Sequence, residues 1–292
     1  MTQEPTSTDP IYSKPLRIVL ALHEAPLPFG GAAAKWYHVL IRALAHEGHR
    51  LTVLAPAASR EELDATRQSL SDTPVDVRCH LVPTHRVPFQ KLHTIRWPFS
   101  ANIAPSYRED LHSLMRQHVD LLQVEPTSIG YLALPYPDRA VVNAQYLMSI
   151  DWKHIRGGSL REQAVRLAAR RAEQRLLRRL PRLMTLTNRL AQEAKSFNPR
   201  LNCAAVPLAL DLNLYPYLEN PLRTAGPTVG LIGSFNWTPT LVAGRRLITQ
   251  LWPAISRERP DARLIIAGRH ATRAFNDLSL PASIELHSDV HD

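Results

Sequence analysis

The chain has 292 residues, 45% hydrophobic and 21% charged, which is room for two domains or one large one in an ordinary soluble globular protein. No apolar run approaches the roughly 18 residues needed to cross a bilayer, and the formal charge of +9 is local. Ten Lys or Arg lie between Lys153 and Arg182 against only Glu162 and Glu173.

Residues 1–14 hold Glu4 and Asp9 and no apolar core, so they read as a disordered leader rather than a secretory signal or transit peptide. The run Leu16–Leu22 predicts a strand. After the turn His23 to Gly31, an amphipathic helix runs from Ala32 to Glu47 with Ala33, Trp36, Tyr37, Leu40, Ala43 and Leu44 on one face. Gly48 stops it, and Arg50–Leu54 reads as a second strand. In such a βαβ unit, ligands bind at the carboxyl end of the strand, where free helix N–H groups favour an anion. His23 and Glu24 leave the first strand at that place, Gly30 and Gly31 precede the helix, and Lys35 lies in its first turn.

Three capping boxes are expected, at Ser59–Glu62, Ser106–Glu109 and Ser159–Glu162. Val75, Val77, Cys79 and Leu81 alternate as a strand, whereas Pro83 to Pro105 has no period and reads as a long functional flap. The buried strand 120–124 ends at Glu125, and the strand 140–143 leads to Asn143 and Gln145, all candidates for a pocket. The third box opens a basic helix to about Leu180 with Leu160, Ala164, Ala168, Ala172, Leu176 and Leu180 as its core stripe. Its arginines suit a solvated face or an anionic membrane, and without interleaved aromatics they argue against nucleic acid. Strands at 183–187 and 202–206 complete this half. The lone Cys79 and Cys203, each in a strand and without metal-site spacing, read as buried and reduced in a cytoplasmic protein.

Pro207 to Pro227 holds four prolines and no period, as a linker would. The βαβ pattern then restarts: a strand at 228–233, a turn, a helix from Leu241 to roughly Glu258, and strands at 263–267 and 284–287. The fold class is therefore α/β, with domains expected at 15–206 and 228–292 around the linker 207–227. Gly230 to Gly233 lacks the full Gly-x-Gly-x-x-Gly and the acid about 20 residues on, which excludes a dehydrogenase fingerprint.

Three stretches carry a family likeness: Pro26 to Lys35 with the run Leu40 to Ala55, Arg175 to Tyr215, and Val229 to Arg269. In their order and spacing the chain resembles glycosyltransferase family 4, glycosyltransferase group 1. That resemblance implies the GT-B fold of two Rossmann-like doubly wound parallel-sheet domains, the first for the acceptor and the second for the donor. It implies a retaining transfer from a nucleotide-sugar donor to a glycan or lipid-linked acceptor, as in polysaccharide biosynthesis. No metal or other cofactor is implied, nor a protein base, because the leaving phosphate assists the attack. Gly30 and Gly31 would allow close backbone approach to the donor diphosphate, and Gly233, Ser234 and Asn236 would stand on the donor side.

Departures are also plain. The linker reads Pro207-Leu208-Ala209-Leu210-Asp211 where the family has Pro-Asn-Gly-Val-Asp. Ser234 to Pro239 replaces a stretch in which many members place an Arg and a Lys on the diphosphate. The family's Glu-x7-Glu motif belongs further downstream, so the donor domain is expected to be cut short and full activity to be lacking. The alternative is a truncated, non-catalytic remnant or binding module docking on the inner face of a membrane through the basic segment 153–182.

Overall fold

The computed structural model describes residues 14–83, 94, 96–152, 159–208, 210–214, 217, 219, 226–288 and 290. All of the leader but Lys14, and residues 84–93 and 95 of the expected flap, lie outside them. The chain divides into two compact units, Met1–Leu212 and Asn213–Asp292, and the division falls inside the proline-rich segment.

The first unit alternates strand and helix: β1 (Arg17–Leu22), α1 (Ala32–His46), β2 (Arg50–Ala57), α2 (Arg60–Ser69), β3 (Val75–Leu81), α3 (Pro105–Met115), β4 (Leu121–Glu125) and β5 (Ala140–Ala144). A one-turn α4 (Met148–Asp151), then α5 (Leu160–Leu177), β6 (Arg182–Thr185), α6 (Asn188–Phe197) and β7 (Asn202–Ala205) follow. The strands form one parallel sheet in the order β3-β2-β1-β4-β5-β6-β7. Side chains alternate across a strand, so Val19 and Ala21 enter one core while Ile18, Leu20 and Leu22 enter another. Tyr37 and Ile41 of α1 close the second face; Tyr107 and Leu111 of α3 with Leu176 and Leu177 of α5 close the first. A parallel sheet needs both faces covered.

Helix faces depart from the sequence reading. In α1 the buried stripe is Ala34, Tyr37, Ile41 and Ala45, and Ala43 is exposed. Tyr37, Ile41 and Ala45 enter the sheet core, with Ala33, Trp36 and Leu44 of the expected face partly buried against it, while Ala34 packs with Ala25 and Leu27. Helix α3 forms no capping box. It starts at Pro105 behind Ala104, because proline brings a helical φ and has no N–H to satisfy, while Ser106 Oγ pairs instead with His80 Nδ1 at 3.0 Å. At α2, Ser59 caps Glu62 N, but the Glu62 carboxylate returns to Ala58 N rather than to Ser59. The box at Ser159 is complete, with Glu162 N to Ser159 Oγ at 3.3 Å and Ser159 N to Glu162 Oε2 at 2.8 Å. Within α5, Ala172 and Leu176 are buried as expected, and Leu180 beyond its end also; Leu160 is 85% exposed and Ala164 is exposed. The helix meets the core only from Ala169 on, through Ala172, Glu173, Leu176 and Leu177. Strand β6 ends at Thr185, leaving Thr187 to cap α6 through Leu190 N at 3.2 Å. Both cysteines are free and half-buried, and burial raises both thiols.

The second unit runs β8 (Thr228–Ile232), α7 (Thr238–Arg246), a π-helical stretch Leu247–Leu251, α8 (Trp252–Glu258), β9 (Arg263–Ala267), α9 (Ala271–Ala274) and β10 (Ile284–His287). Its parallel sheet, β10-β9-β8, repeats the order of β3-β2-β1 with three strands where the first unit has seven. Phe235, Trp252, Leu264, Ile266 and Phe275 form its core.

Candidate functional site

An open parallel sheet offers its crevice where the strand order reverses, at the carboxyl ends. Here that point lies between β1 and β4, and the register pairs Leu22 with Glu125. The residues leaving these two strands, His23-Glu24 and Glu125-Pro126, therefore meet at the switch point.

Glu125 is completely buried. Amides hold its carboxyl group: Gln123 Nε2 donates to Oε1 at 2.7 Å, Asn143 Nδ2 reaches both oxygens at 3.0 Å, and Gln145 Nε2 donates to Oε2 at 3.2 Å. Among the described residues no cation pairs with it. Burial raises its pKa, and the bonds from Gln123, Asn143 and Gln145 oppose that rise. The nearby Trp36 indole favours the ionised form as well, though its buried N–H does not reach bonding geometry. Asn143 Oδ1 is buried without a hydrogen-bond partner.

Gln145 Nε2 also donates to the Tyr37 hydroxyl at 3.3 Å, and that hydroxyl lies 2.9 Å from His23 Nδ1. With Gln145 as its donor, Tyr37 has its own proton for Nδ1, which puts the histidine proton on Nε2. Burial lowers the His23 pKa to about 4, so the ring is neutral at pH 7. Its Nε2 stands 3.9 Å from Glu24 Oε2, beyond a hydrogen bond. His23 is thus a neutral N–H donor at the outer end of a chain that runs through Tyr37 and Gln145 to Glu125. Tyr37 is itself fully buried, and its pKa is raised well above the ordinary value by burial first and then by the charges of Glu125 and Glu24.

The two glycines before α1 differ. Gly30 has φ +94°, a left-handed conformation that favours glycine. Gly31 is the N-cap residue with φ −71°, and a Cβ there would meet only Glu24 Oε1, at an ordinary 3.8 Å. Backbone geometry explains Gly30; at Gly31 neither φ nor a Cβ contact demands glycine, which there serves as the N-cap. No side chain caps α1, and its first turn carries no acid, so its leading N–H groups face outward without a capping side chain. Lys35 is half-buried in that turn, its amide bonded to Gly31 O at 3.1 Å.

The structure thus brings His23, Glu125, Asn143 and Gln145 into one network and joins Gln123 and Tyr37 to it. Neither addition was read from sequence as functional. Gln123 carries a signal, being polar in an apolar buried strand and two residues from Glu125, hence on the same face. Tyr37 carries none, since an aromatic in a helix stripe reads as core.

Gly233, Ser234 and Asn236 lie in the other unit, in the turn between β8 and α7. A Cβ on Gly233 would come 2.7 Å from Thr240 Cγ2, so packing accounts for this glycine. Ser234 Oγ donates to Asn236 Oδ1 at 2.6 Å. Among the described residues no three His, Cys, Asp or Glu side chains gather as metal ligands, and no helix is long and apolar enough to cross a membrane.

Solved structures of this architecture were found. Sucrose-phosphate synthase from Thermosynechococcus elongatus matches 94% of this chain and 70% of its own, with TM-score 0.58 at 14% identity. The catalytic domain of starch synthase IV from Arabidopsis thaliana, bound to ADP and acarbose, matches 96% of this chain and 75% of its own, with TM-score 0.55 at 10% identity. The fold is GT-B. Arabidopsis thaliana UGT89C1, complexed with UDP-L-rhamnose, shares this GT-B fold over 95% of this chain and 70% of its own, at TM-score 0.52 and 14% identity. No protein-family model and no curated sequence matches the chain.

Proposed function

We propose that this protein is a glycosyltransferase related to family 4, which takes a sugar from a nucleotide-sugar donor and retains its configuration. One observation carries the reading: the buried Glu125 network stands at the β1/β4 switch point of a GT-B fold, beside a helix N-terminus with no side-chain cap and a glycine that neither φ nor a Cβ contact demands. Two of the similar structures are complexed with a sugar nucleotide or ADP, which supports a nucleotide-sugar as donor.

In the reaction, the acceptor hydroxyl oxygen bonds to the anomeric carbon on the face from which the nucleoside diphosphate leaves. The carbon–oxygen bond to the diphosphate breaks, and a leaving phosphate oxygen takes the hydroxyl proton. Gly31 allows close backbone approach, the α1 N-terminus and Lys35 offset the developing negative charge, and His23 Nε2–H donates a hydrogen bond. Glu125 positions Tyr37 and His23 through Gln145 and is not a base. The acceptor is a glycan or lipid-linked sugar, and no metal or other cofactor takes part.

Saturation-transfer NMR with UDP-glucose, UDP-N-acetylglucosamine, GDP-mannose and ADP-glucose tests the donor class on the full chain. At least one is expected to bind, with Gly31→Val weakening it tenfold or more while a cooperative melting curve shows the variant folded. Binding of none, or binding indifferent to Gly31→Val, contradicts the reading.

A second feature favours work at a membrane surface. In the part of α5 that leaves the core, Leu160, Val165 and Leu167 are 85%, 51% and 47% exposed, next to Arg161 and Arg166. Apolar side chains among arginines suit peripheral contact with an anionic bilayer on the cytoplasmic side. Co-sedimentation with vesicles containing phosphatidylglycerol, but not with neutral ones, is expected, and Leu160→Asp with Leu167→Asp should abolish it. Equal sedimentation with both vesicle types would sink this idea.

A further inference from the structure

On the first unit, and lined by none of the residues of the Glu125 network, a cavity of about 250 Å³ opens between α4, α5 and α6. Two guanidinium groups line it, Arg170 from α5 and Arg189 from the first turn of α6. Arg170 Nε is buried with no hydrogen-bond partner. Among the described residues neither arginine forms an ion pair within 4 Å, although Glu193 lines the same cavity. Arg189 only lowers the pKa of Asp151, a carboxyl group that burial, the larger influence, raises.

A buried guanidinium N–H left without an acceptor is costly, and two forks from different helices match the geometry of one oxyanion. The rest of the lining limits what carries that oxyanion. Glu193 disfavours a second anionic group beyond the one between the arginines but accepts hydrogen bonds from hydroxyl groups, and Gln174 can donate and accept. Phe197 and Ile150 supply an apolar wall of the kind that packs on a sugar ring face. Ser149, the other polar residue there, already has its hydroxyl on Glu173 Oε2 at 2.6 Å.

We propose that this cavity is a binding site for a small hydroxylated molecule bearing one phosphate ester, of the sugar or polyol monophosphate class. The phosphate lies between Arg170 and Arg189, and the hydroxyls face Glu193 and Gln174. The site belongs to the first unit alone and does not depend on the transfer reaction.

Isothermal titration of the full chain with glucose 6-phosphate, inositol 1-phosphate, glycerol 1-phosphate, inorganic phosphate and glucose tests it without turnover. At least one phosphate ester is expected to bind tenfold or more tightly than inorganic phosphate and a hundredfold more tightly than glucose. Arg170→Gln and Arg189→Gln should each weaken that ester tenfold or more, with thermal melts confirming that both variants are folded. Arg171→Gln, an exposed neighbour outside the cavity, should leave it unchanged. Overturning results are no ester above inorganic phosphate, binding intact in both cavity variants, or an equal loss in Arg171→Gln.

Discussion

At Glu125, burial and hydrogen bonding act on one carboxyl group in opposite directions, and burial wins. A carboxyl group whose folded pKa exceeds its ordinary 4.5 holds a proton in the folded state that the unfolded chain has already released. Its contribution to stability is complete below pH 4.5 and is lost as pH rises through the folded value. Glu125→Gln cannot titrate, so urea unfolding at pH 5 and pH 8 should show its stability relative to the parent improving toward pH 8. A constant difference across that range would mean that Glu125 has an unshifted pKa. His23 has the opposite sign: with a folded pKa of about 4, it costs stability as pH falls from about 6.5 toward 4. Tyr107 offers a simpler test, because its hydroxyl, fully buried, bonds Leu22 O at 3.0 Å at the end of β1 and Leu54 O at 3.1 Å inside β2. Tyr107→Phe should cost about 1–2 kcal/mol in urea unfolding; no loss would mean that those carbonyls find other partners.

Elements show what a sequence conveys and what it withholds. Strands β1, β4 and β5 were legible because apolar runs ended at polar residues, and Glu125, Asn143 and Gln145 were legible as those ends. The Tyr37–Gln145 bond was not, since it joins residues 108 apart that meet only once β5 is set beside α1. Helix faces were less legible than helices: periodicity placed Ala33, Trp36, Tyr37 and Leu44 of α1 on the sheet core, but it missed Ile41 and Ala45 and took in the exposed Ala43. Capping was legible only where serine met no competing proline, as at Ser159 and not at Ser106. Ser159→Ala removes an accepted hydrogen bond at an exposed N-cap. It should lower stability by about 1 kcal/mol, read as a fall in the urea midpoint with unchanged slope. An unchanged midpoint would show that the first turns of α5 fray.

Across the whole molecule, the restart of the βαβ pattern at Thr228 made a second α/β unit readable and the family 4 resemblance implied GT-B, while the strand order that the second unit shares with β3-β2-β1 came only with the structure. The function proposed for that fold rests on its most economical detail, a glycine at position 31 that neither φ nor packing demands. Gly30→Ala would strain a left-handed backbone and confuse folding with binding, whereas Gly31 separates them. The decisive measurement is therefore sugar-nucleotide binding by the full chain and its Gly31→Val variant, followed by saturation-transfer NMR beside a melting curve. The account expects the parent to bind a sugar nucleotide and the folded variant to lose at least tenfold in affinity; equal binding by both would contradict it.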